Sequence, residues 1–418
     1  MFDGLFNKQK LAGTCFVSLR KSADPKSFRL DRGGRVSVQM QVPFVNLKAQ
    51  YDEVRAEIDA AWQEAVSRSA FIGGEAVRKF EILLAERFRV KHACGVASCT
   101  AALTAVLRSL ELSPGDEVIT TVHTAAPTAE AIVLAGANVV FCDVEEDTFQ
   151  IDPAAVETAI TPRTRAIVLV HLYGLAARVR EIQAVARKHD LVVIEDIAQA
   201  QGARYDARPV GTFGAAGCLS FFPSKNLGAF GDGGAVVTNN EETARFVRMY
   251  SNHGRLEKFE HRILGANERL DALQAAILRV KLRRLEPWNE RRRQAATWYE
   301  QRLADVKEVR LPRPIPQCTP AWHLYVIRID GRDELAHFLK DRGVSTGLHY
   351  PLPLHLQPAF SFLGKGEGDF PVAERLARHE ILSLPMFPHI EEGQVDYVCR
   401  TIRQFVAQNL KRTRSTIP

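Results

Sequence analysis

The chemistry available to this chain rests on a lysine, a carboxylate pair and the start of a helix. Lys225 follows the apolar run GCLSFF (217–222) and precedes the glycine-rich stretch GAFGDGG (228–234). Most lysines are solvated surface groups. An amine at a strand end in a partly apolar pocket is different: desolvation lowers its pKa and makes it reactive toward carbonyls. Glu195 and Asp196 close the run LVVIEDI (191–197). Parallel sheets bind ligands at the carboxyl ends of their strands, so an acid there faces a site, unless it only caps a helix or meets water. Ser98 and Thr100 open a helix of small and apolar residues. Its first amides, with the dipole behind them, suit a phosphate, although simple N-capping accounts for the same residues. Each signal is weak alone. The sequence contains no G-x-x-x-x-G-K-[ST], H-E-x-x-H or G-x-S-x-G pattern.

The surrounding pattern says what positions these residues. Short apolar runs at 118–120, 138–144, 165–172, 191–197, 217–222 and 234–238 alternate with helical stretches at 101–110, 128–136 and 179–190. Several runs are apolar throughout, as central strands covered on both faces are. The alternation predicts an α/β domain with a mostly parallel sheet. A helix over about 47–67 precedes it, with Tyr51, Val54, Ile58, Ala61, Trp62 and Ala65 on one stripe. A long helical stretch follows from about 268, its apolar stripe running up to Pro287. Its arginines (Arg279, Arg283, Arg284, Arg291, Arg292, Arg293) read as a solvated face or subunit contact. Beyond about 310, a strand at 322–329, helices at 334–343 and 391–410, and the proline-rich HYPLPLHLQP (349–358) predict a smaller α+β domain.

Composition narrows the class. The chain has 418 residues, 46% hydrophobic and 25% charged, with seven scattered cysteines and no C-x-x-C pair. That excludes a disulfide framework, gives no structural metal site and favours a reducing cytoplasm. Residues 1–39 hold eight bases and three acids, which is +5 of the net +6. The body is nearly neutral, so charge offers no case for nucleic acid or membrane as partner. No apolar run approaches the roughly 18 residues of a spanning helix, and the start lacks the order of a signal peptide. Residues 1–39 read as a disordered basic extension and KRTRSTIP as a frayed tail.

The three signals, in this order, resemble the pyridoxal-phosphate site of the aspartate-aminotransferase fold. The stretches SCTAAL, TRAIVLVHLYG, VVIEDIAQAQGA, SFFPSKNLGAFGDGGAVVT, SNHGRLEKF, GANERLDALQAAIL and HYPLPLHLQPAF resemble the DegT-type sugar aminotransferases. The resemblance implies fold type I: a large α/β domain over 40–285 with a mostly parallel mixed sheet, and a small C-terminal α+β domain over 286–418. It implies pyridoxal 5'-phosphate as cofactor and a cytoplasmic homodimer with shared active sites. It implies L-glutamate as amino donor and a keto sugar on a nucleoside diphosphate as acceptor, 3-keto slightly favoured over 4-keto, for amino-sugar biosynthesis. Lys225 takes the imine-forming position and Asp196 faces the pyridine nitrogen. Gln199 contacts the ring oxygen, Ser220 and the amides of Thr100 and Ala101 meet the phosphate, and Asn267 reaches the phosphate in the partner subunit. His349 and Tyr350 wall the sugar site. Two positions depart from the pattern. Cys99 stands where glycine is usual, and Ala125 stands where an aromatic stacks on the cofactor, leaving His123 as the candidate stacker. A related dehydratase carries histidine in place of the lysine, which Lys225 opposes. A non-catalytic regulator on the same fold is opposed by the filled site positions and the lack of a helix-turn-helix segment.

Overall fold

The computed structural model describes residues 26–30 and 36–415. Strands β1 (Lys26–Leu30) and β2 (Val36–Met40) pair antiparallel, with Phe28 opposite Val38. This corrects part of the expected disordered extension. VSVQM alternates apolar and polar residues, which suits a strand. The rest of that expectation, like the last three residues, lies outside the described residues. Helix α1 (Leu47–Ser67) is capped by Asn46, whose side chain accepts from the Ala49 amide at 3.0 Å. It buries Val54 and Ile58, but Trp62, expected on the same stripe, is 43% exposed. Helix α2 (Gly74–Phe88) follows.

The central sheet has seven strands in the order β3-β11-β10-β7-β6-β4-β5. They are β3 (His92–Val96), β4 (Glu117–Thr121), β5 (Asn138–Cys142), β6 (Thr164–Val170), β7 (Val192–Asp196), β10 (Ala216–Ser220) and β11 (Gly234–Thr238). Only β11 runs against its neighbours, so the sheet is mixed and mostly parallel, as expected. Two short strands, β8 (Arg204–Tyr205) and β9 (Arg208–Pro209), form a hairpin that β12 (Cys318–Thr319) extends. Helices α3 (Cys99–Arg108), α4 (Ala126–Leu134), α5 (Pro153–Ala159), α6 (Val179–Lys188) and α7 (Glu241–Tyr250) connect the strands. Apolar cores fill both faces of the sheet. Consequently the ends of β7 and β10, with the start of α3, converge on one edge.

The long helical stretch divides into α8 (Ala272–Leu282) and α9 (Leu285–Leu303). The break falls at Arg283–Arg284, ahead of Pro287. A proline in the first helical turn costs little, because no intrahelical bond needs its missing N–H. The arginines beyond the break do not form a solvated stripe. Arg284 and Arg291 pair with Glu57 and Glu53 of α1 at 2.8 and 2.6 Å. Arg292 is buried and donates to the carbonyls of Trp322, His323 and Met386 at 3.1–3.2 Å. Burial without a counter-charge lowers its pKa to about 9.

The third core joins α9 to β13 (Tyr325–Arg328), β14 (Ile381–Leu384), α10 (Arg332–Lys340) and α12 (Glu392–Ser415). The segment between α10 and β14, including α11 (Pro371–Arg375), leans back on the large sheet. Phe360 and Phe370 meet Phe141 edge-on at 5.8 and 6.4 Å. Among the described residues no helix is long and apolar enough to cross a membrane.

Candidate active site

A cleft of about 270 Å³ opens where β7, β10 and the start of α3 meet. Ser98, Cys99, Thr100, Asp196, Gln199, Ser220 and Lys225 line it, with Thr124, Ala125, Thr128 and Asp232. The three signals read from the sequence therefore share one cavity.

Helix α3 approaches closely because β11 begins with glycine. A Cβ on Gly234 would stand 2.4 Å from the Ser98 carbonyl and 2.8 Å from the Cys99 nitrogen. Ser98 is the N-cap, and its hydroxyl accepts from the Ala101 amide at 3.1 Å. The Ala101 amide is thus engaged within the helix, and Ala101 does not line the cleft. Thr100 does, in the first turn, where N–H groups have no intrahelical acceptor. The cysteine at the usual glycine position creates no strain, since Cys99 is not at positive φ. Its Sγ lies 3.8 Å from Asp196 Oδ1, and burial and that carboxylate hold the thiol well above its ordinary pKa.

Strand alternation sends Glu195 and Asp196 to opposite faces. Glu195 is fully buried and accepts from the amides of Gly211, Phe213 and Gly214 at 2.6–2.7 Å, and from His171 at 3.0 Å. It braces a loop and takes no part in the cleft. Asp196 faces inward. Its Oδ1 accepts from the Ala198 amide at 3.0 Å, and its Oδ2 accepts from the Thr128 hydroxyl at 2.8 Å. Lys225 is half-buried on the loop after β10, its amide donating to the Phe222 carbonyl at 2.8 Å. Desolvation lowers the pKa of its amine, against the opposing pull of Asp196 and Cys99.

The upper wall is a hydrogen-bonded group that only partly matches expectation. Gln199 Oε1 accepts from the Tyr173 amide at 2.7 Å, and its Nε2 donates to Tyr350 Oη at 2.9 Å. Burial pushes the Tyr350 phenol up to about 12. His349 stacks on Phe44 with ring centroids 5.5 Å apart, and its Nδ1 meets Ser383 Oγ at 2.9 Å. Burial, and then the charge of Lys225, lower its pKa to about 4. Neither His349 nor Tyr350 lines the cleft itself; they stand behind Gln199. His123 is not brought to the cleft. It is fully buried, its Nε2 meets Tyr173 Oη at 2.8 Å, and burial lowers its pKa to about 4. Tyr173 Oη donates to the His349 carbonyl, so His123 Nε2 carries the proton. The expected stacking role therefore fails on burial: the ring is consumed in packing with Tyr173 and Tyr350. Asn267 is exposed on its loop, outside this chain's cleft. Sequence reasoning missed Thr128 and Tyr173, although Tyr173 lies in a stretch that carried the resemblance and Thr128 lies three residues beyond Ala125.

The geometry agrees with comparison to known proteins. A model of the DegT/DnrJ/EryC1/StrS aminotransferase family matches residues 52–403. The chain belongs to this family. This aminotransferase is 46% identical, over 88% of its length and 99% of the relative's, to a pleiotropic regulatory protein of Geobacillus stearothermophilus. It is 43% identical, over 87% of its length and 97% of the relative's, to a UDP-N-acetyl-3-dehydro-alpha-D-glucosamine 3-aminotransferase of Acidithiobacillus ferrooxidans. Among solved structures it is similar to Streptomyces venezuelae DesV in complex with ketimine intermediate, with a TM-score of 0.86 and 44% identity over 88% of this chain and 98% of the other. The chain is accordingly a sugar-nucleotide transaminase of fold type I, and pyridoxal 5'-phosphate is the cofactor of its family. The cleft fits that group: it offers an amine of lowered pKa, a carboxylate held by two donors, and a helix start.

Proposed function

We propose that this aminotransferase moves the amino group of L-glutamate to a 3-keto sugar linked to a nucleoside diphosphate. The observation that carries the reading is the shared cleft of Lys225 and Asp196 beside the start of α3. The acceptor class is supported by the 3-aminotransferase relative named above. Against the regulatory name of the Geobacillus relative stands the presence of both Lys225 and Asp196 in this cleft.

Pyridoxal phosphate supplies a carbonyl that takes up the amino group and a ring that accepts the electron pair released beside it. Lys225, with its amine held below its ordinary pKa, is the nucleophile at Nζ. The same nitrogen takes a proton from the donor's α-carbon and returns one on the opposite side of the exchange. Asp196 holds a proton on the ring nitrogen. Thr128 and the Ala198 amide fix which carboxylate lone pairs remain for it. The Thr100 amide and the Ser220 hydroxyl meet the phosphate. Gln199, clamped at one end of its amide by Tyr173 and at the other by Tyr350, braces the ring, and the His349 carbonyl accepts from Tyr173 Oη. A two-step exchange through one site gives ping-pong kinetics. Protein loaded with cofactor and mixed with L-glutamate alone is therefore expected to release about one 2-oxoglutarate per site. Release only when acceptor is present would refute the two-step order.

The active site is completed by a second copy of the chain. Phe222 at the cleft is 52% exposed, and Trp62, Phe71, Ile72 and Phe230 are also exposed. A large apolar side chain left exposed at the cleft, as Phe222 is, fits cover by a second copy. Asn267 then serves the partner's phosphate site, since it is exposed and does not line its own cleft. Asn267→Ala is expected to weaken cofactor retention on dialysis by about tenfold, the worth of one hydrogen bond to a charged group. Retention equal to that of the unaltered protein would remove Asn267 from the site.

A further inference from the structure

Directly behind Lys225 lies a buried amide network that the reaction itself does not use. Asn226, Asn289, Gln201 and His323 are all at least nine-tenths buried. Asn226 Nδ2 donates to Asn289 Oδ1 and to the Ala321 carbonyl, both at 2.8 Å. Asn289 Nδ2 donates to the Gln201 carbonyl at 2.9 Å. Gln201 Oε1 accepts from the Leu227 amide at 2.8 Å, and its Nε2 donates to the Ser220 carbonyl. The network closes at His323, whose Nδ1 is 3.1 Å from Asn226 Oδ1.

The bonds leave no freedom of assignment. Both protons of Asn226 Nδ2 are used, and a flipped amide would set its oxygen against two acceptors. Asn226 Oδ1 must therefore accept, and His323 must carry its proton on Nδ1. Burial, the Lys225 ammonium, Arg292 and His349 all lower the pKa of His323 well below its ordinary value, so the ring is neutral. The network spans four parts of the chain: the turn after β7 that carries Gln201, the loop after β10 that carries Lys225, helix α9, and the segment 320–324 that leads into β13. Arg292 fixes that last segment through the carbonyls of Trp322 and His323.

We propose that His323 and Asn226 are positioning residues for Lys225. The bonds they close fix the backbone on the C-terminal side of the lysine and tie it to the segment that leads into the small domain. Lys225 has one backbone bond of its own, to Phe222; its next two residues are held by Asn289, Ala321, His323 and Gln201. A catalytic amine displaced by about 1 Å can lose on the order of 10²-fold in rate, which is what such a network prevents. The inference rests on Lys225 as the residue that bonds the cofactor.

His323→Asn retains a donor near the place of Nδ1, whereas His323→Gln places its amide near Nε2 and loses the bond to Asn226. The readouts are the rate at which apoprotein and pyridoxal phosphate form the lysine-bound absorbance band, and the pH midpoint of that band, with thermal midpoints measured alongside. His323→Asn is expected to stay within about twofold of the unaltered protein. His323→Gln is expected to slow band formation by about tenfold and to move the midpoint by about half a pH unit. Asn289→Ser cuts the same network from α9 and serves if His323→Gln does not fold. Wild-type rate and midpoint in His323→Gln or Asn289→Ser would overturn the proposal. So would loss in His323→Asn with retention in His323→Gln, which would make Nε2 the acting atom. A Lys225→Ala protein that still forms the band would instead overturn the reading beneath it.

Discussion

Lys225→Ala is expected to bind pyridoxal phosphate without the visible absorbance band of a lysine-bound cofactor, and to lose at least about 10⁴-fold in transamination. The expectation follows from two functions on one nitrogen. Proton transfer by a positioned base alone contributes about 10²–10⁴. Covalent attachment of the cofactor adds to that, because exchange between amines is easier than attack on a free carbonyl. The lysine is suited to both: desolvation at the half-buried loop position lowers the pKa of its amine, while Asp196 and Cys99 pull the other way. No other lysine lines the cleft. Absorbance scanning and single-turnover amination measure the two losses separately. A band unchanged in Lys225→Ala would remove the lysine from the chemistry.

Asp196→Ala is the second large expected loss, about 10²–10³ in turnover, the usual worth of one preorganised electrostatic contact. The carboxylate is oriented before any ligand arrives, with the Ala198 amide and the Cys99 thiol on one oxygen and the Thr128 hydroxyl on the other. Removing it leaves the Thr128 hydroxyl and the Ala198 amide without their acceptor, so some stability is lost as well. Turnover should fall far more than cofactor affinity, because the charge matters most when the ring takes up electrons. Steady-state kcat measured at saturating cofactor tests this. Full turnover in Asp196→Ala would contradict the role.

The division between what the sequence shows and what it hides has physical causes. The strand that ends in Asp196 and the strand that leads to Lys225 announce themselves because buried strands are apolar throughout, and the site sits at their ends. β3 does not: HACGV has no apolar run, and pairing with β11 along its whole length makes it a strand. The sequence places His123 beside the cofactor because it adjoins Ala125. Only the fold shows that Tyr173 and Tyr350 enclose it. Arg292 reads as one base in a charged run, and no sequence pattern reports three carbonyls converging on its guanidinium. Asn226 and His323 stay silent for the same reason, since their partners are 63 and 97 residues distant along the chain. Thr100, Gln199 and Ser220, which the resemblance names, line the cleft, whereas Ala101 does not.

The measurement closest to the central claim is nitrogen transfer itself. The purified protein, loaded with pyridoxal phosphate, is incubated with ¹⁵N-labelled L-glutamate and a panel of 3-keto and 4-keto nucleotide sugars, and the products are read by mass spectrometry. The account predicts labelled amino sugar from a 3-keto acceptor, formed together with 2-oxoglutarate and absent with Lys225→Ala. Label appearing only in 4-keto acceptors would overturn the acceptor class. No label in any sugar, with the cofactor bound, would contradict the function.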